Sequence, residues 1–271
     1  MADFWSTDWL TRSPMFAPLR ETGALLPDMG WPDTGILDAM ADDCGRRVVN
    51  ANGERIRFVV QDARPARFED KFEPAAFLRG EVPVRRFSWH DLLNAIVWMT
   101  FPTAKAALNA RHFHALSRRE GSRRSREEDA LTLFDEEGVI VLSTDPDLLQ
   151  MVRDFRWREL FWERRDSVRQ KMRFLLFGHA LYEKATRPYV GMTGRALLFE
   201  VSGAVPALER EALTREADRI AALRIWDSTQ LCDGKELSPL PVLGVPGWWQ
   251  DNEQEGFYAN TGYFRPGRTK R

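Results

Sequence analysis

In the segment 88–101, SWHDLLNAIVWMTF, apolar side chains recur at Leu92, Leu93, Ile96, Val97 and Phe101. This is a helical stripe, broader than a surface helix needs, so the helix is expected to be mostly buried. Ser88 is a good N-cap, with Asp91 three residues on in nearly a capping-box arrangement. Pro102 then opens a second helix at its first position, running through TAKAALNARHFHALSRR with an alanine-rich face suited to close packing. PALEREALTREADRIAALRIW (206–226) is the clearest amphipathic helix. STDPDLLQMVRDF starts another, capped by Thr144 or Asp145 with Pro146 at its first position. WRELFWERRDSV continues as a helix rich in charge pairs, GHALYEKATRP is a helix stopped by Pro188, and Thr34–Cys44 is a short one, with a helical turn at Glu73–Leu78. RIRFVVQ (55–61) and RALLFEVS (195–202) read as strands. MRFLLFG (172–178) fits strand or helix, and ALTLF–DEEG–VIVLS (130–143) predicts a β-hairpin closing on Gly138.

These elements predict an α+β fold: one mostly helical domain with a small antiparallel sheet or hairpin and extended, aromatic-rich arms at both ends. Residues 1–50 interleave Pro14, Pro18, Pro27 and Pro32 with Trp5, Trp9 and Trp31, which predicts an irregular arm packed on the body. Residues 51–235 form the core domain and 236–271 an extended C-terminal segment. Trp248, Trp249, Phe257, Tyr258, Tyr263 and Phe264 are too many aromatics for a free tail, so only its last few residues are expected to be loose.

Composition narrows the function classes. The chain has 271 residues, 44% apolar and 29% charged, which is a folded composition. A net charge of -1 gives no electrostatic support for a nucleic-acid partner, without excluding one, and none for an anionic membrane. Two cysteines, Cys44 and Cys232, read as free thiols. The N-terminus has no apolar run behind a basic start, and no stretch is long and apolar enough to span a bilayer, so a cytoplasmic protein is expected.

Four runs carry a family resemblance: SWHDLLNAIVWMTFPTAKAALNARH, REEDALTLFDEEGV, FGHALYEKATRPYVGMTGRALL, and PLPVLGVPGWW followed by FY and FRP. Together they resemble the domain-of-unknown-function 3025 family over residues 50–266. The resemblance implies a bacterial, cytosolic protein and implies no activity, so the chemistry must be read from the residues.

Two constellations stand out. His90, Asp91 and Asn94, with Asn109, His112 and His114 downstream, have the order of an HNH-type nuclease, in which the first His is general base and later residues hold a divalent metal. That architecture needs a β-hairpin after the base, whereas these residues read as two helices. His179 and Glu183, at i,i+4, share a helix face and could supply two ligands to a metal, with His90, Asp91 or His112 completing the set. The plain alternative is a buried His–Glu hydrogen bond. The run Arg118, Arg119, Arg123, Arg124 and Arg126 is followed at once by acidic residues and reads as a solvated loop with local ion pairs, Arg126 and Asp129 being best placed to turn inward. LTLFDEEGVIV resembles the aspartate loop of haloacid-dehalogenase-like phosphatases only in a shifted frame. G-x-S-x-G, P-loop, G-x-G-x-x-G and H-E-x-x-H motifs are absent.

The reading is a hydrolase using acid/base or metal-assisted chemistry on a phosphate-bearing substrate. His90, Asp91, His179 and Glu183 are the expected catalytic residues, and Asn94, Asn109, Arg111, His112 and Arg126 the expected substrate-binding ones, with a divalent metal as the candidate cofactor. The alternative is a non-catalytic binding or assembly module whose aromatic surface takes a protein partner or a second copy. Convergence of the polar residues on one cleft separates the two.

Overall fold

The computed structural model describes residues 5–119 and 121–267. Its helices, in chain order, are α1 (Trp9–Arg12), α2 (Arg20–Gly23), α3 (Thr34–Asp43), α4 (Phe72–Arg79), α5 (Trp89–Thr100), α6 (Pro102–Ser117), α7 (Arg126–Glu137), α8 (Pro146–Arg153), α9 (Arg165–Lys171), α10 (His179–Ala185) and α11 (Arg210–Trp226). Its strands are β1 (Arg57–Val60), β2 (Glu81–Val84), β3 (Gly138–Ser143), β4 (Met172–Leu176), β5 (Thr193–Glu200) and β6 (Ser238–Pro241). The fold is α+β, and no helix of the described residues is long and apolar enough to cross a membrane.

A four-stranded sheet, ordered β4-β3-β5-β6, forms the centre. β3 and β5 run parallel in register Val139↔Ala196, and β4 and β6 flank them antiparallel. Every residue of β3 is buried, which is why Val139–Leu142 is a continuous apolar run rather than an alternating one. β1 and β2 pair in parallel through the crossover helix α4. α4 ends on Gly80 in the left-handed region (φ 68°), where a Cβ would lie 2.2 Å from the Arg55 carbonyl oxygen. Only glycine fits this turn into β2.

α5 and α6 form the corner expected at Pro102, and Ser88 caps α5 by accepting from the Asp91 amide at 3.2 Å. The start of α6 is capped from a distance: Asp218, fully buried on α11, accepts from the Thr103 and Ala104 amides and pairs with Arg46. One apolar core runs from Trp9 and Phe16 to Tyr263 and Phe264. The C-terminal segment is tied down by Asn252, which donates to the Leu243 and Val245 carbonyls, and by Trp157, which donates to that of Arg265. The last residues, expected to be loose, fall at 268–271, outside the described residues.

Three local expectations are corrected. The hairpin over 130–143 does not form: residues up to Glu137 belong to α7 and only the second half is a strand. Ser125 and Glu128 make a reciprocal capping box, and Ala130, Leu131 and Phe134 give α7 a buried helical face. β3 finds its partners in β4 and β5 instead. WRELFWERRDSV is not one helix but a π-helical turn (Glu159–Glu163) followed by α9. The stretch after β1, where only a helical turn at Glu73–Leu78 is expected, contains all of α4 and β2.

Candidate functional site

The start of α5, the middle of α6, the last turn of α7 and the start of α10 surround a cleft of about 600 Å³, closed on one side by residues 61–64 and by Phe72 and Glu73 of α4. Gly178 sets the approach of α10. A Cβ there would lie 2.4 Å from both the Glu136 carbonyl oxygen and the Gly138 amide, and the Gly178 amide donates to the Gly138 carbonyl at 2.9 Å. The first residue of α10, His179, is thereby seated beside Asp135 and Glu136 at the end of α7. Stacking of Phe134 on Phe177, centroids 4.7 Å apart, supports the same junction.

His90, in the first turn of α5, meets this corner. Its Nε2 lies 3.0 Å from His179 Nε2, and its Nδ1 lies 3.1 Å from Glu183 Oε2. A Glu136 carboxylate oxygen is 3.9 Å from His90 Nε2 and 3.6 Å from His179 Nε2. His179 Nδ1 is buried without a hydrogen-bond partner and faces Asp135, whose Oδ2 is 3.9 Å away. Beneath them Lys105, 2% exposed, bonds Asp135 and donates to Asn94 Oδ1 at 2.9 Å. A buried ammonium needs such partners. Ligand atoms of His90, Glu136 and His179 all lie within 4.8 Å of one another, so these three could hold a metal.

The electrostatics follow from burial and these pairings. Burial pushes His179 down to about 3, against the pull of the Asp135 charge, so its imidazole is neutral at ordinary pH. Burial would raise Asp135, but the Lys105 ammonium, through its charge and its hydrogen bond, outweighs it and holds the carboxyl below the usual range. Burial and the neighbouring Asp135 raise Glu136. On the opposite wall burial raises Glu73, whose carboxylate accepts from Asn109 Nδ2 at 2.6 Å. Asp91 is opposed by burial but held low by Arg85, which binds it through two side-chain bonds of 2.8 Å and one backbone bond.

Of the residues singled out from sequence, His90, Asp91, Asn94, His112 and His179 line this one cleft, Glu183 holds His90, and Asn109 reaches the cleft through Glu73. Asp91 ties the β2–α5 corner rather than facing the cleft with a free carboxylate. Arg111 and Arg126 lie elsewhere. Arg111 is buried against Glu127 and the carbonyls of Ile225, Asp227 and Gln230, where it terminates α11. Arg126 is exposed and lies 3.5 Å from Asp233. His114 packs beside Phe77. Residues 88–117 form two helices, so the hairpin of an HNH site is absent. The arginine run makes local ion pairs, Arg119 with Glu128 and Arg124 with Asp129.

Sequence reasoning missed Glu73, Lys105, Asp135 and Glu136. Asp135 and Glu136 were hidden by the hairpin reading, although Ser125-x-x-Glu128 ahead of an apolar helical spacing signals the helix. Lys105 was legible as the one charge in the alanine-rich first half of α6, residues 102–109, a position that demands a buried partner.

No curated protein and no solved structure matches the chain. The family described as "Protein of unknown function (DUF3025)" matches residues 56–268, which include β1, β2, every wall of the cleft and the His90–Glu136–His179 corner. Spanning most of its length, that match shows that the chain belongs to the DUF3025 family.

Proposed function

We propose that this chain is a hydrolase whose active site is the cleft, with His90, Glu136 and His179 as the groups that activate water. The observation that carries the reading is the meeting of two imidazoles and a carboxylate, from three elements distant in the chain, on an open cleft. Shifted titrations concentrated around a concave site favour catalysis over simple packing. In the reaction one O–H bond of water breaks, the hydroxide oxygen bonds to phosphorus, and the ester P–O bond opens. The departing oxygen takes a proton. Glu73, raised by burial and facing the same cleft, suits the group that accepts and returns that proton.

A phosphate-bearing substrate fits one cation of the cleft. Arg64 is exposed on its lip without a hydrogen-bond or ion-pair partner among the described residues, whereas Arg85 is engaged by Asp91. The test is turnover of 4-nitrophenyl phosphate and bis(4-nitrophenyl) phosphate. His179→Ala and Glu136→Gln are expected to lower kcat by about 100-fold or more, and Arg64→Ala to raise KM. Equal rates in wild type and His179→Ala, or no turnover of either ester by wild type, would refute the reading.

A binding module is the second reading, and its surface differs from the one expected. The aromatic tail is largely internal, with Tyr258, Tyr263 and Phe264 buried. The most exposed aromatic among the described residues is Phe87, 76% accessible and held at φ 57°, against a cluster of Trp5, Trp31 and Trp89. Phe87→Ser abolishing capture of a partner, with hydrolysis absent, would favour that reading.

A further inference from the structure

We infer that His90, His179 and Glu136 form a binding site for one divalent transition metal of the zinc kind, with Glu183 and Asp135 orienting the two imidazoles. The inference deepens the hydrolase reading of the same site by naming its cofactor.

The argument starts from proton placement. A carboxylate accepts and does not donate, so His90 Nδ1, 3.1 Å from Glu183, must carry a hydrogen. A neutral His90 then presents a bare lone pair at Nε2. With both imidazoles neutral and no metal between them, the 3.0 Å contact between the two Nε2 atoms requires His179 to place its own hydrogen on Nε2. That leaves a bare lone pair on His179 Nδ1, buried and facing Asp135, itself a carboxylate paired with the Lys105 ammonium. Two acceptors would then oppose each other inside the protein, which is costly. A cation at the Nε2 side removes the conflict. Both imidazoles become Nδ1–H tautomers, each aimed at a carboxylate, and both Nε2 lone pairs turn to the metal. A ligating histidine held through its other nitrogen by a carboxylate is the usual outer arrangement of metal sites.

The distances agree. Ligand atoms about 2.0–2.1 Å from a tetrahedral metal stand about 3.3 Å from one another. The observed separations of 3.0, 3.6 and 3.9 Å bracket that value. Glu136 is half-buried at the end of α7, and a small rotation of its carboxylate closes the longer pair. Three protein ligands on an open cleft leave the fourth position to water, as catalytic zinc requires. Two imidazoles with one carboxylate select a borderline transition ion over magnesium or calcium, which prefer all-oxygen sites.

The test uses untagged full-length protein equilibrated with micromolar zinc and dialysed. About one zinc per chain is expected by elemental analysis, and the cobalt-substituted protein should show the visible absorption of a four- or five-coordinate ion. Glu136→Ala and His179→Ala should abolish stoichiometric binding. Glu183→Gln and Asp135→Asn should weaken it by about 10- to 100-fold and shift the cobalt spectrum. Because substitutions at buried His179 and Asp135 could impair folding, half-exposed Glu136 and Glu183 carry the decision, with circular dichroism to confirm their fold. Zinc absent from wild type, or one zinc per chain in both wild type and Glu136→Ala, would overturn the inference. Phosphoester turnover that depends on His179 in protein without metal would overturn it and leave the hydrolase reading standing. Stoichiometric zinc lost in Glu136→Ala, with both esters unturned, would do the reverse.

Discussion

Lys105 offers a sharp test of how the cleft is held together. It sits on α6 at 2% exposure, its Nζ bonded to Asp135 and to Asn94 Oδ1, and 5.3 Å from the centroid of the Trp98 ring. Lys105→Met keeps most of the aliphatic stem and removes the charge. The protein then loses two hydrogen bonds to a charged donor and one cation–π contact, and Asp135 is left buried without its counter-ion. Breaking one side of a buried pair costs about 3–5 kcal/mol, most of it the stranded charge. At about 2–4 °C per kcal/mol, Tm should fall by about 6–20 °C. Removing the second charge as well should relieve the stranding, so Lys105→Met with Asp135→Asn should recover about 2 kcal/mol relative to Lys105→Met alone. The assay is urea unfolding of the four proteins, followed by tryptophan fluorescence and far-UV circular dichroism. A Lys105→Met protein within 1 kcal/mol of wild type, or strictly additive single and double variants, would refute the reasoning.

Further outcomes follow from other contacts. Gly178→Ala should destabilise the protein and disturb the cleft, because its Cβ would meet the Glu136 carbonyl and the Gly138 amide at 2.4 Å; unchanged urea midpoint and unchanged zinc content would contradict this. Asp218→Ala should cost about 2–4 kcal/mol, since α6 loses the acceptor for two N-terminal amides and Arg46 its buried partner, while Asp218→Asn should cost less; thermal unfolding of the two variants decides it. Burial opposes ionisation of Glu128, but hydrogen bonds from Arg119 and Ser125 hold it below the usual range. Its contribution is therefore present above the unfolded glutamate value of about 4.3 and lost as pH falls through the lower folded value. Stability should accordingly fall less steeply below about pH 5 in Glu128→Gln than in wild type, and parallel curves would count against the capping pair. Arg126→Ala should change neither stability, beyond about 0.5 kcal/mol, nor turnover, because its side chain is exposed and outside the cleft; a fall in kcat/KM would return it to the site.

The residues of this chain determined what acts within a few positions of itself. Ser88 and Pro102 mark the α5–α6 corner, Asp145 and Pro146 begin α8, and the unbroken apolar run Val139–Leu142 announces a strand buried on both faces. Caps, proline positions and apolar spacing are local, so they can be read without knowing the fold. Even here two local signals competed at 126–143, and the capping box with its helical stripe prevailed over the turn signal at Gly138 because α7 buries Ala130, Leu131 and Phe134 on one face. His90, His179 and Glu183 were recognisable as chemistry-bearing from residue type and helical spacing. Their meeting could be expected but not decided, because it depends on where α5 and α10 cross. Only the tertiary structure could seat α10 against the α7–β3 junction through the missing side chain of Gly178, bring in Glu136, place Lys105 beneath Asp135, and turn Arg111 toward the end of α11 instead of the cleft. Each of these rests on contacts between residues dozens of positions apart, and such contacts are set by packing and register rather than by any pattern along the chain.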